Sequence, residues 1–340
     1  MSPIDFSIPT WLIIYYHFVG TVSFFLNTAC IYLIVFRSDK IDNFRYFLLV
    51  FQICCTITDF HITFLMQPIP LYPVLGGFCN GFLAVYFDVW SHYLMAFIAA
   101  SVVGQVGSLA ICFFKKHQTI GKIMKRHVFP EKLVELAYCG APFIPVMVFI
   151  CFLQTGMRRD SQMEYINNKY PEYSLQFSQL SNFAVYELNF WAFVVAIIAF
   201  SGSLFCGTVY IFTTVDMFKF LQSAQLKRRI SAVNLKRHRA ALKSLVAQFV
   251  TSSLCLIPPF LYAVVIMSSI DYAQLIVQVL LAIFSLHSSV NAVVLVVTTP
   301  PYRNFVLRLF DSVYFFKKKK KHPSFQKTTE TKFDHSSDIC

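Results

Sequence analysis

Residues 46–72 read Y-F-L-L-V-F-Q-I-C-C-T-I-T-D-F-H-I-T-F-L-M-Q-P-I-P-L-Y. At a helical rise of about 1.5 Å per residue, this apolar run is long enough to cross a hydrocarbon core of about 30 Å. It nevertheless carries Asp59 and His61 well inside. A carboxylate at that depth costs at least about 2.5 kcal/mol, so it has to face other protein or water and not lipid. One such segment implies several more packed around it.

The composition meets that demand. Of 340 residues, 56% are hydrophobic and 17% aromatic, with 38 Phe and only 14% charged, and the mean hydropathy is +0.59. An average soluble domain is far less apolar, and one core could not hide so many apolar stretches of about 20 residues. The chain is read as an all-α membrane protein.

Seven spans follow, at about 11–36, 46–72, 78–114, 133–153, 183–212, 245–267 and 273–298. Residues 1–10 hold no Lys or Arg and no small-residue cleavage signal, so the first span is expected to direct insertion itself. Cytoplasmic loops are enriched in Lys and Arg. Of the 29 basic residues, three lie in 37–45, six in 115–132, eight in 213–244 and nine from 299 onward, whereas 154–182 holds the other three. The N-terminus is therefore expected outside and the C-terminus inside. The formal charge of +12 is a bias of the cytoplasmic rim, suited to anionic inner-leaflet lipid or an acidic cytosolic partner and not to nucleic acid.

Beyond the bundle of 11–298, residues 299–321 show Phe305, Val306, Leu309, Phe310, Val313 and Phe316 at helical spacing, ahead of the run Lys317 to Lys321. This predicts an amphipathic interfacial helix clamped to lipid. Residues 322–340 are polar enough to be disordered. Most of the ten cysteines lie within spans, where small polarisable side chains suit helix packing. Cys79 and Cys151, at the outer ends of spans three and four, are candidates for a disulfide in an oxidising compartment. No N-glycosylation sequon occurs.

The intramembrane polar residues need explaining. Asp88 and His92, and likewise His287 and Asn291, are four apart and predict shared helix faces. Two readings stand. Asp88, His92 and His287 either line one cavity open to the outside or pair with neighbours to hold helices together. Asn27, Asp59 and Asn291 near mid-depth suit an interhelical network that holds helices together and could also act as a buried polar switch. Tyr86, Phe87, Tyr93 and Phe97 would supply aromatic walls for an apolar ligand, with Asp88 or His92 giving the directional contact.

Other chemistries fit less well, and neither cofactor nor catalytic site is expected. An intramembrane metal hydrolase would need His61, Asp88, His92 and His287 to converge, and no His-x-x-x-His or His-Glu-x-x-His pair is present. A retinal pigment needs a lysine within a span, and none exists. A transporter calls for repeated halves with broken helices; prolines interrupt spans two and six, but no internal similarity is evident. An ion channel on the same bundle stays an alternative.

The run I-D-N-F-R-Y-F-L-L at 41–49, Q-P-I-P-L-Y-P at 67–73 with Gly76-Gly77, K-H-Q-T-I at 116–120 and P-Y-R at 301–303 resemble the nematode serpentine chemoreceptors, class I, with class H as the near relative. The likeness covers roughly residues 4–310 and implies a seven-transmembrane G-protein-coupled receptor. It further implies a small odorant-like ligand, a heterotrimeric G-protein partner and the plasma membrane of chemosensory neurons. Lys115, Lys116, Arg228, Arg229, Lys236 and Arg303 are the candidates for the partner-facing rim. Asn27 and Asp59 sit where rhodopsin-like receptors carry their Asn of span one and Asp of span two. No Asp-Arg-Tyr ends span three, no Asn-Pro-x-x-Tyr closes span seven, and the loop after span four lacks the usual cysteine. The ionic lock of that class therefore does not carry over.

Overall fold

The computed structural model describes residues 4–38, 43–267 and 272–321. The first helices are α1 (Thr10–Arg37) and α2 (Phe44–Phe60), the latter continued by a π-helical turn (His61–Met66). Strands β1 (Pro68–Pro70) and β2 (Gly76–Cys79), a short α3 (Phe82–Phe87) and the long α4 (Ser91–Met124) follow. Next come α5 (Glu131–Gly140), α6 (Phe143–Leu153), α7 (Arg159–Lys169), α8 (Ser174–Ser178), β3 (Ala184–Val185) and α9 (Phe190–Gln222). The chain closes with α10 (Ala224–Arg229), α11 (Ala232–Met267), α12 (Ala273–Ser285), α13 (His287–Thr298) and α14 (Pro300–Lys321).

Among the described residues, six stretches are long and apolar enough to cross a membrane: α1, α2 with its π turn, α4, α5 with α6, α9, and α12 with α13. The seventh member of the bundle is α11, whose first half is basic. The helices close on themselves: α1 packs on α2 and α13, α2 on α4, α4 on α6 and α9, and α11 on α9, α12 and α13. Leu33, Ile34, Phe51, Leu109, Phe113, Met217, Leu242 and Leu295 belong to one core in the half nearest the basic connections. The apolar faces left outside, such as Phe193, Ile197, Phe200 and Leu204 on α9, are those a bilayer would cover.

Span two differs from its expected form. Its prolines end the helix at Met66, short of the expected residue 72. Pro disfavours the α conformation in the residue before it, and Gln67 takes a left-handed conformation (φ 45) with its N–H bonded to Ile62 O. The chain then runs into β1, which pairs antiparallel with β2, Ile69 opposite Phe78. β1 is an edge strand, so the missing proline N–H groups are tolerated there. β3 pairs with the other side of β2. This small sheet is absent from the all-helical expectation. With α7 and α8 it forms a lid over the end of the bundle that carries the N-terminus. The lid has its own core of Ile4, Ile69, Leu71, Val74, Phe78, Ile166, Phe177 and Val185.

Two other boundaries move, and one expected interruption is absent. Span three starts at Ser91 because the chain turns through Asp88, and span five starts at Phe190 after β3. Helix α11 runs through Pro258 and Pro259 without a break. After span seven, α14 forms as the apolar spacing predicts: Phe305 and Val306 pack against the basic-end core, and the Arg37 guanidinium lies 4.2 Å over the Phe305 ring. Leu309 stays exposed. The expectation of disorder at 322–340 and the side chains of the lysine run lie outside the described residues.

Candidate functional site

Polar side chains inside the bundle form two adjoining sets. On α1, Asn27 donates to Ser23 Oγ at 2.9 Å and to Ser288 Oγ at 2.7 Å. Its carbonyl accepts from Gln52 Nε2 at 2.6 Å. The Asp59 carboxylate lies beside the same Ser23 hydroxyl. In the second set, Asn291 Nδ2 donates to His287 Nε2 at 2.9 Å and to Ser252 Oγ at 3.2 Å. A break at Leu286 starts α13 at His287; of two consecutive residues there, His287 turns to Ser252 on α11 and Ser288 to Asn27 on α1. The expected trio is therefore split: Asn27 and Asp59 share Ser23, while Asn291 is joined to them only through the start of α13. Gln52 Oε1 and Asn291 Oδ1 are buried and find no hydrogen-bond partner among the described residues.

Sequence reasoning missed Ser23, Gln52, Ser252 and Ser288. The four-residue spacing of Ser23 and Asn27 was the available signal for one of them. The close approach of α1 to the π turn depends on Gly20, where an added Cβ would lie 2.6 Å from Thr63 Oγ1.

Asp88, His92 and His287 do not line one cavity. Asp88 sits at φ 53 between α3 and α4, so it shares no helix face with His92. Its side chain is 70% exposed and lies 4.0 Å from Arg159. Asn182 donates to it at 2.5 Å and also to Ala84 O at 3.2 Å, stitching the lid to α3. His92 is buried at the start of α4, 3.1 Å from the Tyr186 hydroxyl and 3.2 Å from Leu153 O, with its ring stacked on Phe152. Gly156 permits that packing, since a Cβ there would lie 2.5 Å from His92 Nε2. Tyr86, Phe87 and Tyr93 are 74%, 63% and 51% exposed and wall no interior space. His61 is held apart from all of these by Leu94 O at 3.0 Å.

The candidate pair Cys79 and Cys151 is not bonded; both are free thiols. Cys79 is buried among Ile62, Met66, Ala84 and Leu94, a cluster that does not include Cys151. Burial pushes its thiol up to about 12, with a hydrogen bond to Ser91 opposing.

At the basic end, a contact with no sequence signature ties α9 to α4. His117 Nε2 and His127 Nδ1 lie 2.7 and 2.8 Å from one oxygen of Asp216, Oδ2. Gln118 donates to His117 Nδ1 at 3.1 Å and accepts from Phe129 N at 3.0 Å, fixing the turn after α4. The six rim candidates gather at this end. Lys115 lies 5.3 Å from the Phe47 ring and the buried Lys116 4.9 Å from that of Phe44. Arg229 donates to Ile123 O at 2.7 Å; Arg228, Lys236 and Arg303 are exposed. A cavity of about 370 Å³ opens among α2, α4, α11 and the start of α14.

The profile of the serpentine type 7TM GPCR chemoreceptor Sri family matches residues 2–306. The chain belongs to the Sri family. As a Sri protein it is a multi-pass membrane receptor of the G-protein-coupled type, which is not an enzyme class. The crystal structure of squid rhodopsin is similar in fold, with a TM-score of 0.54 at 12% identity over 92% of this chain and 88% of that one. No curated protein matches the Sri chain in sequence.

Proposed function

We propose that this receptor is chemosensory, sits in the plasma membrane of chemosensory neurons with its N-terminus outside, and responds to a small odorant-like molecule. Ligand acting at the lid end shifts helix packing, and a heterotrimeric G protein engages the basic end. One observation carries the reading: the buried polar sets join α1, α2, α11 and α13 and contain two unpartnered acceptors, Gln52 Oε1 and Asn291 Oδ1. Such a network has alternative pairings to offer, as a bundle with two arrangements requires.

Moving a population from 1:99 to 99:1 takes about 5.5 kcal/mol of differential binding. That is the scale of a few hydrogen bonds at about 1 kcal/mol each plus modest apolar burial. The candidates for first contact are Tyr86, Phe87, Asp88, His92 and Tyr93. A ligand that competes for Asp88 releases Asn182, and one that displaces Tyr186 from His92 loosens the start of α4. In this scheme His287 belongs to the buried network with Asn27, Asp59 and Asn291. The partner-facing rim is Lys115, Lys116, Arg228, Arg229, Lys236 and Arg303, with Lys317 to Lys321 toward anionic inner-leaflet lipid.

The test is a calcium or cAMP readout in cells expressing the chain, screened against volatile and soluble odorants, with and without G-protein blockade. Ligand responses abolished by blockade are expected. A response persisting under blockade as an ionic current overturns the coupling and assigns a channel. An N-terminal epitope is expected to stain on unpermeabilised cells; staining only after permeabilisation reverses the orientation.

A further inference from the structure

Residues 4–6 lie in a groove between the lid and α12. Ile4 belongs to the lid core with Ile69, Val74 and Phe177, and Phe6 packs against the same core. The Phe6 ring meets Phe177 edge-on at 5.1 Å and Tyr173 at 5.9 Å. Asp5 between them is exposed, the alternation of an extended chain that turns every second side chain to one face. Its carboxylate accepts from the Ser7 N–H at 2.9 Å. The backbone of Asp5 is held on both sides by one side chain. Its N–H donates to Gln274 Oε1 at 3.1 Å, and its carbonyl accepts from Gln274 Nε2 at 2.7 Å. That is the exchange a residue makes with its partner across an antiparallel ladder. Gln274 Nε2 also donates to Pro70 O at 3.1 Å, which orients the amide against β1.

We propose that this groove is a peptide-binding site, filled in cis by residues 4–6, and that it takes an extended segment with an aliphatic side chain two residues ahead of an aromatic one. Main-chain hydrogen bonds give such a site affinity, and pockets for alternate side chains give it specificity. The residue between the two anchors is unspecified, because Gln274 reads only its backbone. A donor and an acceptor already oriented by β1 lower the cost of ordering them on binding. A ligand without a peptide unit leaves one side of the amide unmatched, which favours a peptide over a small apolar molecule. The tethered segment competes at the effective concentration of a short linker, about millimolar, and so raises the concentration that a free peptide needs. Peptide binding here requires no coupling to a G protein, and its failure would leave the odorant reading untouched.

The probe is the fluorescein-labelled peptide I-D-F-S-I-P, the sequence of residues 4–9, followed by fluorescence anisotropy against purified full-length receptor. Two receptor variants empty the groove in different ways. Ile4→Ser with Phe6→Ser removes the anchors, whereas Asp5→Pro keeps both and removes the N–H. Saturable binding to at least one of these variants is expected, about tenfold tighter than to the unsubstituted receptor. A peptide N-methylated at its Asp nitrogen lacks the donor to Gln274, and a second peptide carries Ala in place of Phe. Each is expected to bind about tenfold more weakly than the parent peptide, and neither change touches the folding of the receptor. No saturable binding to either variant, equal binding to the unsubstituted receptor, or indifference to either altered peptide overturns the proposal.

Discussion

At the scale of single residues, the lid is pinned by contacts that leave no spare room. Gly156 is the sharpest case: any side chain there meets the His92 ring, which is itself wedged against Phe152, Trp90 and Tyr186. Overpacking of this kind typically costs about 1–3 kcal/mol. Gly156→Ala is expected to lower the thermal midpoint of the purified receptor, and Gly156→Val to lower it further; an unchanged midpoint for both would mean that the loop simply moves aside. Cys79 gives a second expectation. Its burial holds the thiol protonated up to about 12, against the ordinary 9.0. The folded chain therefore retains a proton that the unfolded chain releases. This contribution to stability is full below about pH 9 and is lost as pH climbs through the folded value. Maleimide at pH 8 is expected to spare Cys79 in the folded receptor and to label it after denaturation. Labelling at equal rates in both states would place the thiol at the surface.

At the scale of elements, the polar clamp between α4 and α9 rests on one carboxylate oxygen shared by two imidazoles. Hydrogen bonds to charged groups contribute about 1.5–3 kcal/mol. Asp216→Asn is expected to destabilise the receptor by about that amount, and His117→Ala more than His127→Ala, because His117 is fully buried and His127 half exposed. In a double-mutant cycle read by thermal unfolding, Asp216→Asn and His117→Gln are expected to couple by about 0.5–3 kcal/mol; additive losses would show that the contact carries no energy. The same scale explains a misreading. Four-residue spacing implies a shared face only within one helix, and Asp88 and His92 flank a left-handed turn. That turn is held by Asn182, whose contact comes from 94 residues away. Nothing local to residues 86–92 announces it.

For the whole molecule, charge and hydrophobic length set the frame. The basic connections gather at one end, around a cavity built from four separate parts of the chain. Reversing Lys115, Lys116, Arg228, Arg229, Lys236 and Arg303 together is expected to abolish ligand-evoked signalling with surface expression unchanged; intact signalling would remove these residues from the partner-facing rim. The run at 46–72 that implied a multi-helix bundle does hold a helix long and apolar enough to cross a membrane, and its Asp59 is buried within the protein instead of facing lipid. The sequence by itself determined the membrane class, the seven spans, the charge asymmetry of the connections and the family. These follow from transfer free energies and motifs that add up along the chain, so they survive without knowledge of any contact. Only the tertiary structure decided which polar groups meet. The lid sheet, the split of Asn291 from Asn27, the sealing of His92 and the clamp on Asp216 all join residues distant in sequence, and their geometry is set by the packing of helices against one another.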